Sequence, residues 1–358
     1  MEQSSKKFLY ELLTTPSPTG FEQRVQRVVQ KRMKPYADII ENDIHGNLIV
    51  GINPKAERKI MLAGHCDQLG FMVKFISEDG FLYVEPLGGH DPVIWPGTLV
   101  TVYTEKNGEI PGVIGRKPIH LQKPEERGQG KITIDDLWID IGAKDKKEAA
   151  KLVTIGDTVT ARLGVTELRN DLISSPGLDD KSGVFVVMEA LRLCSRSKLN
   201  VGVYAVSTVQ EEVGLRGART AAFGIDPEVG IAVDVTFASD NPGIKDKKVA
   251  DCKLGAGPSF GRGPTSNPVV DKMLVDAAKK ARCPYQLVPC SRIVGNDSAA
   301  MQVNRSGVAS GSVDIPNRYM HTQVEVCSLK DMENAAKILA TFIKNITSRT
   351  SFKPASLR

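Results

Sequence analysis

The sequence predicts an α/β fold, a mixed sheet flanked by helices, with a small β domain inserted into it. Two observations carry this. After Gly177, apolar runs short enough for strands alternate with longer runs of helical periodicity. Between about residues 71 and 164 the chain instead shows short β-type runs broken by Gly, Pro and Asn. At 358 residues the chain can bury a core in each part.

Taken in order, the first forty residues read as helical. Phe21, Val25, Val28, Val29 and Met33 recur at roughly helical spacing, after a turn marked by Pro18 and Gly20. Strands follow at 47–51, behind the turn pair His45-Gly46, and at 59–64. Within the β region the runs 82–84, 99–103 and 113–114 stand out, and the polar piece 120–131 reads as an exposed, mobile loop. Beyond it the pattern predicts a helix over 180–194, a strand over 201–207, a helix over 215–223 and a strand over 229–235, then helices over 268–281 and 329–346. Residues 1–70 and 165–358 thus form one discontinuous domain, and 71–164 the insertion.

Hydrophobic residues make up 41% of the chain and charged residues 25%, which suits a globular protein rather than a disordered one. The net charge of +5 comes from scattered basic residues, with no stripe to bind nucleic acid. No apolar run approaches the roughly 18 residues of a membrane span, and the patch from Phe8 to Leu13 is too short for a signal peptide. The six cysteines include no C-x-x-C pair and read as reduced thiols of a cytoplasmic protein.

Five places combine metal-capable side chains with predicted strand ends. In Gly64-His65-Cys66-Asp67, His65 and Asp67 share one face of the extended chain, so Asp67 could orient a ligating His65; alone, His65 also reads as an ordinary turn histidine. In Leu178-Asp179-Asp180-Lys181-Ser182-Gly183, one Asp is explained as a helix cap, two less comfortably. Glu211 and Glu212 follow an apolar strand, where paired acids are costly unless partnered. Asp234 closes another apolar strand, as a ligand or as a turn former. The fifth is Arg318-Tyr319-Met320-His321 with Glu325, ahead of a helix that Ser328 and Asp331 would open as a capping box. Together these supply two histidines and several carboxylates without thiolates. That set suits zinc, cobalt or manganese, and a carboxylate shared between two ions suits hydrolysis.

The segments carry a resemblance. Gly64-His65-Cys66-Asp67-Gln68-Leu69-Gly70 is similar to the G/A-H-x-D-E-x-G segment of the tetrahedral metallo-aminopeptidases, the family of glutamyl aminopeptidases and proteins labelled endoglucanases. It continues through Gly112–Pro118, Asp136–Gly142, Leu178–Gly183, Gln210–Gly214 and Arg318–His321, in order along nearly the whole chain. The resemblance implies a zinc-peptidase-like catalytic domain with a barrel-like insertion. It implies two divalent ions per subunit, zinc or cobalt with manganese as an alternative. His65 and Asp234 would hold one ion, Glu212 and His321 the other, and Asp179 would bridge them. It makes Glu211 the general base, Asp67 the acid orienting His65, and the Asp179–Asp180 peptide cis. It further implies action on short peptides and self-association through the insertion, as dimers building a tetrahedral dodecamer.

The chain departs from the family at Gln68, where Glu is usual, at Thr322-Gln323 after His321, and at Asn296-Asp297-Ser298. None of these is a ligand position; they bear on the substrate pocket. Asp297 either lines that pocket or caps a helix near Ser298. The expected reaction is removal of N-terminal residues, with a deacylase acting on N-blocked substrates as the main rival. A glycoside hydrolase would have no use for two histidine ligands, and an inactive scaffold would have lost a ligand or the base. Cys66 reads as a small buried residue, and His90 and His120 lie outside the metal motifs. The Gly-rich stretches 255–257 and 261–263 read as turns near the cleft.

Overall fold

The computed structural model describes residues 1–123, 132–244 and 250–354. Helices α1 (Gln3–Thr14) and α2 (Gln23–Met33) open the chain. Val25, Val29 and Met33 are buried as their spacing predicts, whereas Phe21 precedes the helix and is 41% exposed. The helical stretch also ends sooner than expected, because Ile39 already starts β1 (Ile39–Asn42), which pairs antiparallel with β2 (Leu48–Ile52). Next comes β3 (Lys59–His65), buried from Ile60 onward.

The insertion is a closed barrel of six antiparallel strands: β4 (Gly70–Ile76), β5 (Leu82–Leu87), β6 (Leu99–Thr104), β7 (Gly108–Gly115), β8 (Trp138–Asp140) and β9 (Thr158–Ala161). Alternating residues such as Phe71, Val73, Val100 and Val102 point into its own core, which α3 (Lys146–Leu152) closes through Ala149. His120 lies in an exposed turn at 119–121; residues 124–131 of the loop read as mobile are outside the described residues.

The rest of the chain completes an 11-stranded mixed sheet. Its elements are β10 (Thr166–Glu167), β11 (Leu172–Ser174), α4 (Leu178–Cys194), β12 (Gly202–Thr208), α5 (Arg216–Ile225), β13 (Val229–Phe237) and β14 (Ser259–Arg262). Then follow α6 (Pro268–Ala281), β15 (Gln286–Pro289), α7 (Asp297–Gln302), β16 (Ala309–Arg318), β17 (Val326–Ser328) and α8 (Leu329–Lys344). The central strands β12, β3, β13 and β16 run parallel and are buried over most of their length, as a sheet covered on two faces requires. Helices α1, α2, α4, α6 and α8 bury one face, and α5 with α7 bury the other.

The packing of α4 on β3 is close enough to exclude side chains. A Cβ on Gly64 would lie 2.5 Å from the Gly183 carbonyl carbon and 2.6 Å from the Val184 nitrogen. Neither backbone can yield without shifting a helix against the central sheet. Gly64→Ala is therefore expected to destabilise the protein by about 1–3 kcal/mol, read as a lower urea midpoint at unchanged slope.

Candidate metal centre

The parallel strands deliver the polar residues to one place. His65 ends β3, and Glu211 and Glu212 lie in the turn that follows β12. Asp234 sits in the last part of β13, and His321 follows β16 by a short turn. All come from the carboxyl ends of parallel strands, where side chains from separate crossovers converge. Asp179 meets them from the start of α4, where Asp179 and Asp180 depart from helical geometry and are joined by a cis peptide bond.

Two groups of donor atoms result, each with its atoms within 4.8 Å of one another: His65, Asp179 and Asp234, and Asp179, Glu212 and His321. Asp179 belongs to both. Its Oδ1 lies 3.1 Å from His65 Nε2 and its Oδ2 lies 3.2 Å from His321 Nε2. Glu211 belongs to neither group but stands beside them, its Oε2 3.9 Å from His65 Nε2.

A surrounding set of bonds fixes these side chains. Asp67 does more than the sequence suggested. His65 Nδ1 is 3.0 Å from the Asp67 backbone carbonyl and 3.4 Å from its Oδ1. The Asp67 carboxylate accepts from Glu211 N, Glu212 N and Thr19 Oγ1. It therefore anchors the Glu211–Glu212 turn as well as facing the imidazole. The second histidine is oriented by the barrel, since its Nδ1 lies 3.1 Å from the Gly89 carbonyl oxygen. Glu325, buried, accepts from Asp179 N at 3.0 Å and from His321 N at 2.9 Å. Asp180 turns away, accepting from His65 N and Gly183 N, so the capping role falls to the second Asp. Gln210, Tyr319 and His321 all have φ near +60°, a left-handed backbone that non-glycine residues adopt at some cost.

Burial dominates the electrostatics. It raises Glu211 to about 8 and Glu212 to about 7, assisted by neighbouring carboxylates and opposed by His65. Asp234 is pushed well up by burial and by Asp180. Burial would raise Asp179 too, but hydrogen bonds and charge from His321 and His65 outweigh it and hold Asp179 well down. His321 rises to about 9 through its bond to Asp179. Among the described residues no lysine or arginine pairs with Asp179, Glu211, Glu212 or Asp234. Glu212 Oε1 is buried with no hydrogen-bond partner among them. Clustered carboxylates with an orphaned acceptor and two imidazoles are the donor set of a divalent-cation site. The residues fit such ions.

The site opens into a cavity of about 520 Å³ whose lining also includes Gly261, Val288, Cys290, Asn296 and Asp314. Asp297 is not part of that wall: it is the first residue of α7, bonded to Thr208 Oγ1 at 2.6 Å, and Asn296 is the cap. The Ser328 cap forms, but its box does not close, because the Asp331 carboxylate accepts from Gly255 N and Gly257 N instead. Cys66 is fully buried, and burial pushes its thiol well up, which leaves it no nucleophile. His90 stacks on Phe71 in the barrel and belongs to neither donor group. Thr19, Gly89 and Asp314 carried no signal in the sequence, since only the register of distant segments brings them here.

The chain is similar to known proteins along most of its length. A family model described as M42 glutamyl aminopeptidase matches residues 46–338. A lysyl aminopeptidase of Pyrococcus furiosus is 37% identical over 342 residues, covering 95% of this chain and 97% of that one. Among solved structures, a TET aminopeptidase from a marine-sediment archaeon of the Thaumarchaeota superposes with a TM-score of 0.91 at 34% identity, covering 96% and 97% of the two chains. The TET1 peptidase of Pyrococcus horikoshii, described as able to assemble into a tetrahedron or a large octahedral shell, gives 0.85 at 30%, covering 96% of this chain and all of that one.

Proposed function

The chain belongs to the M42 glutamyl aminopeptidase family, and from that premise we propose that it is a two-metal aminopeptidase acting on short peptides. The observation that carries the reading is the pair of donor groups sharing Asp179, with Glu211 beside them and outside both. His65, Asp179 and Asp234 would hold one ion and Asp179, Glu212 and His321 the other, zinc or cobalt by their nitrogen and oxygen donors. Divalent ions there supply Lewis acidity, which lowers the pKa of water and polarises a carbonyl.

The chain's own groups do the rest. Glu211, beside both donor groups and a member of neither, is placed to take the proton of the attacking water. As the water oxygen bonds to the scissile carbon and the C–N bond breaks, Glu211 returns that proton to the departing amine. Asp67 holds the backbone of Glu211 and Glu212, so base and ligand keep a fixed spacing. Among the described residues no helix is long and apolar enough to cross a membrane. All six cysteines are free thiols, which supports a cytoplasmic setting. The TET relatives' shells support self-association, and the barrel, inserted into the catalytic part as a separate core, is our candidate for its contact surface.

Mass spectrometry of a decapeptide and its N-acetylated twin tests the reading. Stepwise loss of residues from the free N-terminus, with the acetylated peptide left intact, is expected; cleavage of the blocked peptide would favour a deacylase. The support of the ligands is testable separately. Glu325→Ala removes the acceptor for both Asp179 N and His321 N, and is expected to weaken metal binding about 10–100-fold, measured against a competing chelator.

A further inference from the structure

We propose that Asp314 is a specificity-determining residue: it forms the acidic wall of the pocket for the substrate's N-terminal side chain and selects a cationic one, lysine or arginine. The proposal rests on the aminopeptidase reading above and adds the substrate class to it.

Strands β13 and β16 run parallel with Asp234 opposite Asp314. In-register residues of neighbouring strands project to the same face about 4.8 Å apart. Asp314 therefore stands one strand spacing from a proposed metal ligand, on the side of the sheet that opens into the cavity. It is only 7% exposed, and what holds it is neutral. Its Oδ1 accepts from Ser312 Oγ and, at 3.4 Å, from Asn296 Nδ2. Among the described residues no group donates to Oδ2 and no lysine or arginine pairs with the carboxylate. None of the described residues lining the cavity is basic apart from the ligand histidines. A Cβ on Gly261 would stand 3.7 Å from Oδ2, so the glycine keeps the approach to that oxygen clear.

A carboxylate buried without a cation is costly, and the cost is offset when a cation arrives. The remaining walls suit what would carry it. Val288, Pro289 and Val294 line the same cavity, and the methylene stem of lysine or arginine covers apolar surface while its charged end seeks an acid. A glutamate side chain in this pocket would meet Asp314 as a like charge, and a leucine would leave the carboxylate unpaired.

The test is kcat/KM of the metal-loaded full chain on anilides of lysine, arginine, norleucine, leucine and glutamate. Norleucine keeps the lysine stem without its amine. The wild-type protein is expected to prefer lysine and arginine at least about tenfold over norleucine. Asp314→Asn is expected to lower the lysine and arginine values on the order of 10²-fold, leaving norleucine within about threefold, while Asp314→Glu restores the preference. Equal losses on lysine and norleucine, or a wild-type preference for glutamate or leucine, would overturn the proposal. Failure on every free-amine anilide would instead overturn the aminopeptidase reading, and this proposal with it.

Discussion

Glu211→Gln is expected to lower kcat on an unblocked amino-acid anilide by about 10²–10⁴-fold, with KM and metal content little changed. The side chain keeps its size, and its backbone N–H stays bonded to Asp67, so the variant loses the proton acceptor and nothing else that the site needs. Glu211 stands outside both donor groups, which is why metal content should hold. Glu212→Gln should behave in the opposite way, since it alters a proposed ligand: metal affinity falls first and turnover follows it. Wild-type turnover in Glu211→Gln with both ions present would remove Glu211 from the chemistry.

The second large effect is on stability. Without metal, the fold gathers carboxylates that prefer to keep their protons. Glu211 is raised from 4.5 to about 8 and Glu212 to about 7, both chiefly by burial. A group whose folded pKa is raised adds stability that is complete below its unfolded value and is lost as pH climbs through the folded one. The metal-free protein should therefore lose thermal stability as pH rises from about 5 to about 9. His321, raised to about 9 by its bond to Asp179, pushes the same way. Asp179, held down by the two histidines, has its window in acid and does not oppose this. A divalent ion replaces those protons, so its addition should raise the melting temperature more at pH 8 than at pH 6. At a hundred times its dissociation constant one ion adds about 2.7 kcal/mol. Equal shifts at both pH values would show that the ion displaces no proton from Glu212 or His321.

The sequence carried the fold class well where a period repeats often. The helix at Pro268–Ala281 falls where its periodicity predicts, and β12 and β13 shift by only a residue or two. It carried less where a segment is short: Ile39–Asn42 extends a run that reads as helical, and only pairing with β2 makes it a strand. The residues of both donor groups were visible because each sits in a local motif at a strand end. Their common meeting point was not, since the register of β3, β12, β13 and β16 sets it. The same reason hid the supports. Gly89 reaches His321 across 232 residues, and Asp67 holds Glu211 across 144. Asp314 looks like one polar residue in the run Ser310-Gly311-Ser312-Val313-Asp314 until its pairing with Asp234 is known. Asp331 looked like half of a capping box because the spacing allows one, yet the Gly255–Gly257 turn offers two N–H groups and takes the carboxylate.

The most direct test of the central claim is turnover of one amino-acid anilide and its N-acetylated counterpart by protein stripped of metal and then resupplied with zinc, cobalt or manganese. No turnover is expected from the stripped protein, and activity is expected to return as the second ion per chain binds. Cleavage of the free-amine substrate alone is also expected. Full activity in the stripped protein, or equal cleavage of the acetylated substrate, would contradict the claim.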